Sequence, residues 1–253
     1  AMTARFGRSN PGLADDFDVV ATAPDRMLEA TGWSDLRGKR RTEKPWLDGL
    51  PRLIFISDMA DSFSRDISFE YLRDEVIAAV SSHSGQRHQW QWLTKRPQRM
   101  AEFSRWLSEA GTNWPPNLWA GTSVTTQATA SRIEALSQVG NSNTLHFVSV
   151  EPQWESIDLT DFLPSLDWVI QGGHSGSHDH PFAIEWADEL RQQCSDQGIA
   201  YFLKQLGSAV RDCGKKARYG RGKQSHWEDW PKRLRVRQMP ITEGKVHNKS
   251  SNG

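Results

Sequence analysis

The chain has 253 residues, enough for one large domain or a domain plus a tail, and enough to bury a substantial core. Its 31 basic residues balance 31 acidic ones, so no global field selects for nucleic acid or a membrane surface, and only local patches are left to do so. The two cysteines, Cys194 and Cys213, exclude a disulfide framework, and the sequence shows no secretory or membrane segment, so a cytoplasmic protein with no membrane partner is expected.

In chain order, Phe17-Asp18-Val19-Val20 is a first candidate strand, followed by a polar connection over 31–52 punctuated by Trp33, Pro45, Trp46 and Pro51. Short apolar runs rich in β-branched and aromatic residues then recur at 53–56, 90–93, 118–121, 145–150, 168–170 and 200–203. Near-continuous runs of this length indicate strands buried on both faces, as parallel strands are. Between them lie helical spacings. Ser68 is the candidate N-cap of a helix carrying Phe69, Leu72, Val76 and Val80, and Pro97 opens one carrying Met100, Phe103, Leu107 and Ala110. Ile133, Leu136 and Val139 precede Gly140, and Trp186, Leu190 and Cys194 share a stripe that ends at Gly198, which makes Cys194 a core residue. Cys213 is expected to be a free surface thiol. The twelve tryptophans serve chiefly as core, with a few available as stacking platforms.

Strand–helix units at intervals of roughly 25–35 residues predict an α/β fold, a partial (β/α) TIM-like barrel of about six to seven parallel strands. An open doubly wound sheet is the alternative, although no dinucleotide fingerprint or P-loop follows a strand. The barrel domain is expected over 1–207, with a basic, Gly-rich extension over 208–253 whose end is disordered.

Functional groups of parallel α/β folds lie beyond the carboxyl ends of the strands. Sampling those positions yields Asp58, Lys95, Arg96, Thr122, Ser123, Glu151, Gly172, Gly173, His174, Lys204 and Gln205 as a candidate substrate or cofactor rim. Lys95 and Arg96 suit a carboxylate or phosphate, Thr122 and Ser123 are hydrogen-bond donors, and Glu151 suits a hydroxyl or amine. The glycine pair permits close backbone approach of a ligand, or only a tight turn. His174, His178, Asp179 and His180 form a dense set of metal-ligand types, but on a single loop, so no metal site is assigned.

The ordered series Ser57-Asp58-Met59, Leu93-Thr94-Lys95-Arg96-Pro97, Gly121-Thr122-Ser123-Val124, Val148-Ser149-Val150-Glu151-Pro152, Gly172-Gly173-His174-Ser175-Gly176 and Phe202-Leu203-Lys204-Gln205 resembles a phage-associated three-Cys-motif family related to radical-SAM enzymes. The resemblance implies S-adenosylmethionine and a [4Fe–4S] cluster as cofactors, and a partner protein named for the same motif. The substrate, a small molecule or a nucleic acid, is unknown. The chain departs from that pattern twice. The three cysteines expected upstream of Met2-Thr3-Ala4-Arg5-Phe6 are absent, which implies a start beyond the motif or a cluster-less relative, and a chain not competent for reductive cleavage. His174 stands where the family's loop carries Glu. Two other function classes are kept: a nucleic-acid or partner-binding module using the basic tail, and a metal-dependent hydrolase using His174, His178 and His180.

Overall fold

A computed structural model describes residue 22 and residues 24–56, 61–176 and 180–240. The candidate strand at 17–20, the strand-end residues Ser57, Asp58 and Met59, the loop residues His178 and Asp179, and the end expected to be disordered lie outside the described residues.

The strands are β1 (Leu53–Ile56), β2 (Gln89–Thr94), β3 (Leu118–Ser123), β4 (His146–Val150), β5 (Trp168–Gly172), β6 (Phe182–Ala183) and β7 (Ala200–Gln205). Six of them form one sheet in the order β1-β2-β3-β4-β5-β7, with every neighbouring pair parallel. An order that never reverses belongs to a barrel wound in one direction, not to a doubly wound sheet. The sheet curls into a half-barrel flanked by helices, the partial (β/α) barrel expected from the sequence.

The helices are α1 (Arg26–Thr31), α2 (Phe69–Leu72), α3 (Ala78–Ser81), α4 (Pro97–Glu109), α5 (Arg132–Leu136) and α6 (Ile184–Asp196), a wider π turn at Arg73–Ile77 joining α2 to α3. Their ends follow local chemistry. The Ser68 hydroxyl accepts the Tyr71 N–H at 3.1 Å, and Pro97 fills the first turn of α4, where a missing N–H costs nothing. Both long helices stop at a left-handed glycine, Gly111 (φ 76) after α4 and Gly198 (φ 69) after α6. The next residue folds back: Thr112 N–H donates to Leu107 O and Ile199 N–H to Cys194 O, each at 2.9 Å.

Strand residues alternate between two apolar faces. On the convex face Ile54, Trp90, Trp92, Leu118, Val148, Val169 and Leu203 are buried against the helices, which supply Met100, Phe103, Leu107, Leu190 and Cys194. Each fully buried side chain of this size contributes about 1.5–3 kcal/mol. The concave face carries a second cluster built on Trp119, Leu145, Phe147 and Trp168, with Leu93, Ile170 and Phe202 beside it.

Residues 208–240 are packed onto the half-barrel. The strands β8 (Val210–Asp212) and β9 (Lys215–Ala217) form a small sheet with β6, and Trp230 and Leu234 are buried. The tail then runs beside β7, where Leu203 N–H donates to Val236 O at 2.9 Å and Trp168 Nε1 donates to Gln238 O at 2.9 Å. Across the gap between the two sheet edges stands Trp46, edge-on to Phe202 at 6.0 Å and to Trp227 at 5.2 Å. The connection before β1 and the tail after β7 thus occupy the place where a closed barrel has its remaining strands. Among the described residues no helix is long and apolar enough to cross a membrane.

Candidate functional site: the cavity inside the half-barrel

The curl turns every second strand residue inward, and strand register stacks these residues in rows. Phe55, Gln91 and Trp119 form one row, and Leu93, Gly121, Phe147, Trp168 and Ala200 the next. Ser123, Ser149, Ile170 and Phe202 form a third, nearer the carboxyl ends. Gly121 is required in its row because the Phe147 ring lies on it: a Cβ there would sit 2.3 Å from Phe147 Cζ. Between this face and the segments around Trp46 and Arg237 lies a cavity of ≈ 1170 Å³. Its floor is apolar and aromatic, from Phe147, Trp168, Ile170 and Phe202, and its rim is charged, from Lys95, Glu151 and Lys204. A site of this kind excludes water below and orients a ligand's polar end above.

At the rim Lys204 Nζ stands 2.8 Å from Glu151 Oε2, with the Lys204 side chain 53% and the Glu151 side chain 16% exposed. Glu151 lies on Gly172, where a Cβ would be 3.3 Å from Glu151 Cγ and Cδ; the glycine therefore makes room for the carboxylate rather than for a ligand. The Glu151–Pro152 peptide is cis. Asp61 organises the turn after β2, accepting from Thr94 Oγ1 at 2.7 Å and from the Lys95 N–H at 2.9 Å.

The cavity brings together five of the residues expected at the rim: Lys95, Ser123, Glu151, Lys204 and Gln205, although the Gln205 amide is engaged with Gly173 O at 3.0 Å. Others are placed elsewhere by strand parity. Arg96 turns away to an ion pair with Asp61 at 3.3 Å, and Thr122 is fully buried on the convex face with its hydroxyl on Thr94 O at 2.9 Å. Gly173 abuts Leu206, whose carbonyl oxygen would lie 2.3 Å from an added Cβ, so its close approach is to the chain itself. His174 is outside the cavity lining; its ring lies 5.2 Å from that of Trp154 and 6.2 Å from that of His180. Asp58 lies outside the described residues.

Several cavity residues escaped the sequence reading because they are not at strand ends. Gln91 and Ser149 lie inside strands, and only the alternation of polar among apolar residues hints at them. Trp46 and Arg237 come from segments 191 residues apart in the chain, taking 237 less 46. The Arg237 guanidinium is boxed by Trp46, Phe202, Trp227 and Trp230 at 4.2–5.4 Å from their ring centres. Burial pushes it down to about 10, while its N–H groups donate to Leu203 O, Lys204 O and Ser225 O.

A family model described as "Protein of unknown function (DUF5131)" matches residues 4–232. The chain belongs to the DUF5131 family. The match runs through the whole parallel sheet and into the tail that packs against it, so the half-barrel and most of its closing segment form one matched unit. Searches of curated proteins and of solved structures gave no match.

Neither cysteine belongs to the cavity. Cys194 is fully buried on α6 against the convex face, and burial pushes its thiol up to about 12. Cys213 is exposed at the small sheet, where its thiol is also raised, first by the Asp212 carboxylate beside it. Glu185, Asp212 and Cys213 bring potential ligand atoms within 4.8 Å of one another there, but Asp212 is held by the Tyr219 hydroxyl and Glu185 by the Cys213 N–H at 2.5 Å.

Proposed function

We propose that this chain is the ligand-binding half-barrel of a radical-SAM-like enzyme of phage type, whose strand-end rim holds S-adenosylmethionine. The reading rests on one arrangement, the Glu151–Lys204 pair standing above an aromatic floor at the carboxyl ends of parallel strands. The donor set fits the ligand's chemistry. Glu151 takes an α-ammonium, Lys204 takes an α-carboxylate, and the Phe202 ring, in the row nearest the rim, favours a sulfonium cation. S-adenosylmethionine supplies an activated carbon–sulfur bond; the residues of this chain bind it, orient it and exclude water.

The [4Fe–4S] cluster does not fit the residues present. A three-thiolate site needs three cysteines, and the two in this sequence are a buried core thiol and a surface thiol, both outside the cavity. No reductive step is therefore derived for this chain. As for the rival readings, the tail tryptophans are not free stacking platforms, since Trp230 is buried and Trp227 packs on Arg237, and the His174 and His180 rings lie tilted and edge-on against Trp154.

The test is calorimetric titration of the purified chain with S-adenosylmethionine. Wild type should bind, and Glu151→Gln and Lys204→Met should each weaken binding about ten-fold or more. Because the Lys204 end of the pair is half-exposed, its replacement should change stability by less than about 1 kcal/mol. No binding by wild type, or binding indifferent to both substitutions, refutes the reading.

A further inference from the structure

The cavity is larger than one ligand needs. Its ≈ 1170 Å³ exceeds the roughly 300–1,000 Å³ typical of a site for a single drug-sized molecule. The part below the rim has its own chemistry, which the rim pair does not use.

Gln91 is the centre of it. The residue is 9% exposed, lines the cavity, and lies in register between Phe55 and Trp119. Its side-chain amide has no hydrogen-bond partner among the described residues, whereas Gln89, on the same strand and face, donates to Asn117 O at 2.8 Å. A cavity-lining amide with no partner in the protein keeps its donor and its acceptor available to a ligand. It offers one donor and one acceptor side by side, the pattern that pairs with the edge of a nucleobase. The row above it in the cavity carries the Phe147 and Trp168 rings, with centroids 6.0 Å apart and planes inclined at 50°, each an aromatic surface against which a flat heterocycle packs. Toward the mouth, Ser149 and Ser123 are buried with no side-chain partner among the described residues.

The cavity lining also carries charge of both signs, with Glu43, Asp61 and Glu228 among its lysines. Lys44, Lys95 and Lys223 all line the cavity, and none of the three has an ion-pair partner among the described residues. Three free ammonium groups above these aromatic surfaces suit a phosphate, which S-adenosylmethionine lacks.

We propose that the cavity takes a nucleotide as a second ligand, with Gln91 on the base edge and Lys95, Lys44 and Lys223 on the phosphate. The nucleotide is then the substrate of the site assigned above, and in that role the proposal rests on the S-adenosylmethionine reading; as a binding site it stands by itself. Free nucleotides and nucleotides within a single strand share this chemistry.

The experiment titrates the purified chain with the four ribonucleoside 5′-monophosphates and the matching nucleosides, following tryptophan fluorescence. Titrations with S-adenosylmethionine and with single-stranded dodecamers run in parallel. At least one monophosphate should bind about ten-fold tighter than its nucleoside. Gln91→Leu should weaken that nucleotide about five-fold or more, and flatten the preference among bases, while S-adenosylmethionine binding stays within about two-fold. Lys95→Met combined with Lys223→Met should erase the advantage of phosphate and leave nucleoside binding in place. Gln91→Leu removes an unpartnered amide from an apolar row, so its thermal midpoint should match or exceed wild type and show that it folds. A dodecamer that binds no tighter than the monophosphate assigns the free nucleotide, and one that binds tighter assigns the strand; both support the proposal. Monophosphates that bind no better than nucleosides, or a base preference that survives Gln91→Leu, overturn it. Nucleotide binding without S-adenosylmethionine binding sinks the reading above while leaving this site standing.

Discussion

Arg237 joins the two edges of the half-barrel, and removing it should loosen the wall of the cavity. Its guanidinium donates to Leu203 O at 3.2 Å, Lys204 O at 3.0 Å and Ser225 O at 2.9 Å. It also lies over Trp46 at 4.2 Å from the ring centre and between 5.3 and 5.4 Å from three further rings. Hydrogen bonds from a charged group contribute about 1.5–3 kcal/mol each, and cation–ring contacts about 0.5–2 kcal/mol. Opposing them is the cost of burying the cation, the same cost that pushes the group down to about 10 from 12.5. Arg237→Met keeps the apolar contact and loses the donors, so a net destabilisation of about 3 kcal/mol is expected, a large share of a total of about 5–15 kcal/mol. Urea unfolding followed by tryptophan fluorescence reads this directly. With a slope of about 2 kcal/mol per molar urea, the midpoint should fall by about 1.5 M. Arg237→Lys, which retains charge but not the planar fork, should fall in between. A midpoint shift under about 0.3 M for Arg237→Met would show that the aromatic box stands without its cation.

Three more outcomes follow from buried groups. His88 is almost fully buried, with Nε2 on Thr31 O at 3.2 Å and no partner for Nδ1, and burial lowers its pKa from 6.5. The unfolded chain therefore takes up a proton that the folded one resists. Its contribution is in full force above pH 6.5 and is lost as pH falls from there toward the depressed folded value. Urea midpoints at pH 7.5 and 5.5 should differ less in His88→Gln than in wild type, and an equal difference would contradict this assignment. A thiol titration of the native protein should count one reactive cysteine, Cys213, and a second only in denaturant, because Cys194 is buried with its thiol raised to about 12. Gly121→Ala should destabilise by about 1–3 kcal/mol by driving the Phe147 ring off the floor, and a wild-type urea midpoint would mean that the ring gives way freely.

The sequence determined the elements of this protein because their causes are local. Six apolar runs became six parallel strands, Ser68 and Pro97 opened helices, and Gly198 closed one, since each is set by neighbours within a turn or by strand composition. The barrel type followed from strand–helix alternation. The inward face was different, because strands buried on both sides are apolar at even and odd positions alike, and nothing local says which parity faces the cavity. Lys95 and Arg96 are adjacent, as are Thr122 and Ser123, yet in each pair one lines the cavity and the other turns away. The curl of the sheet made that choice, and it promoted Gln91 and Ser149 from strand interiors to the site. The wall made by Trp46, Trp227 and Arg237 was beyond reach for the same physical reason: it joins segments nearly two hundred residues apart, and contacts at that separation exist only once the sheet has brought its two edges together.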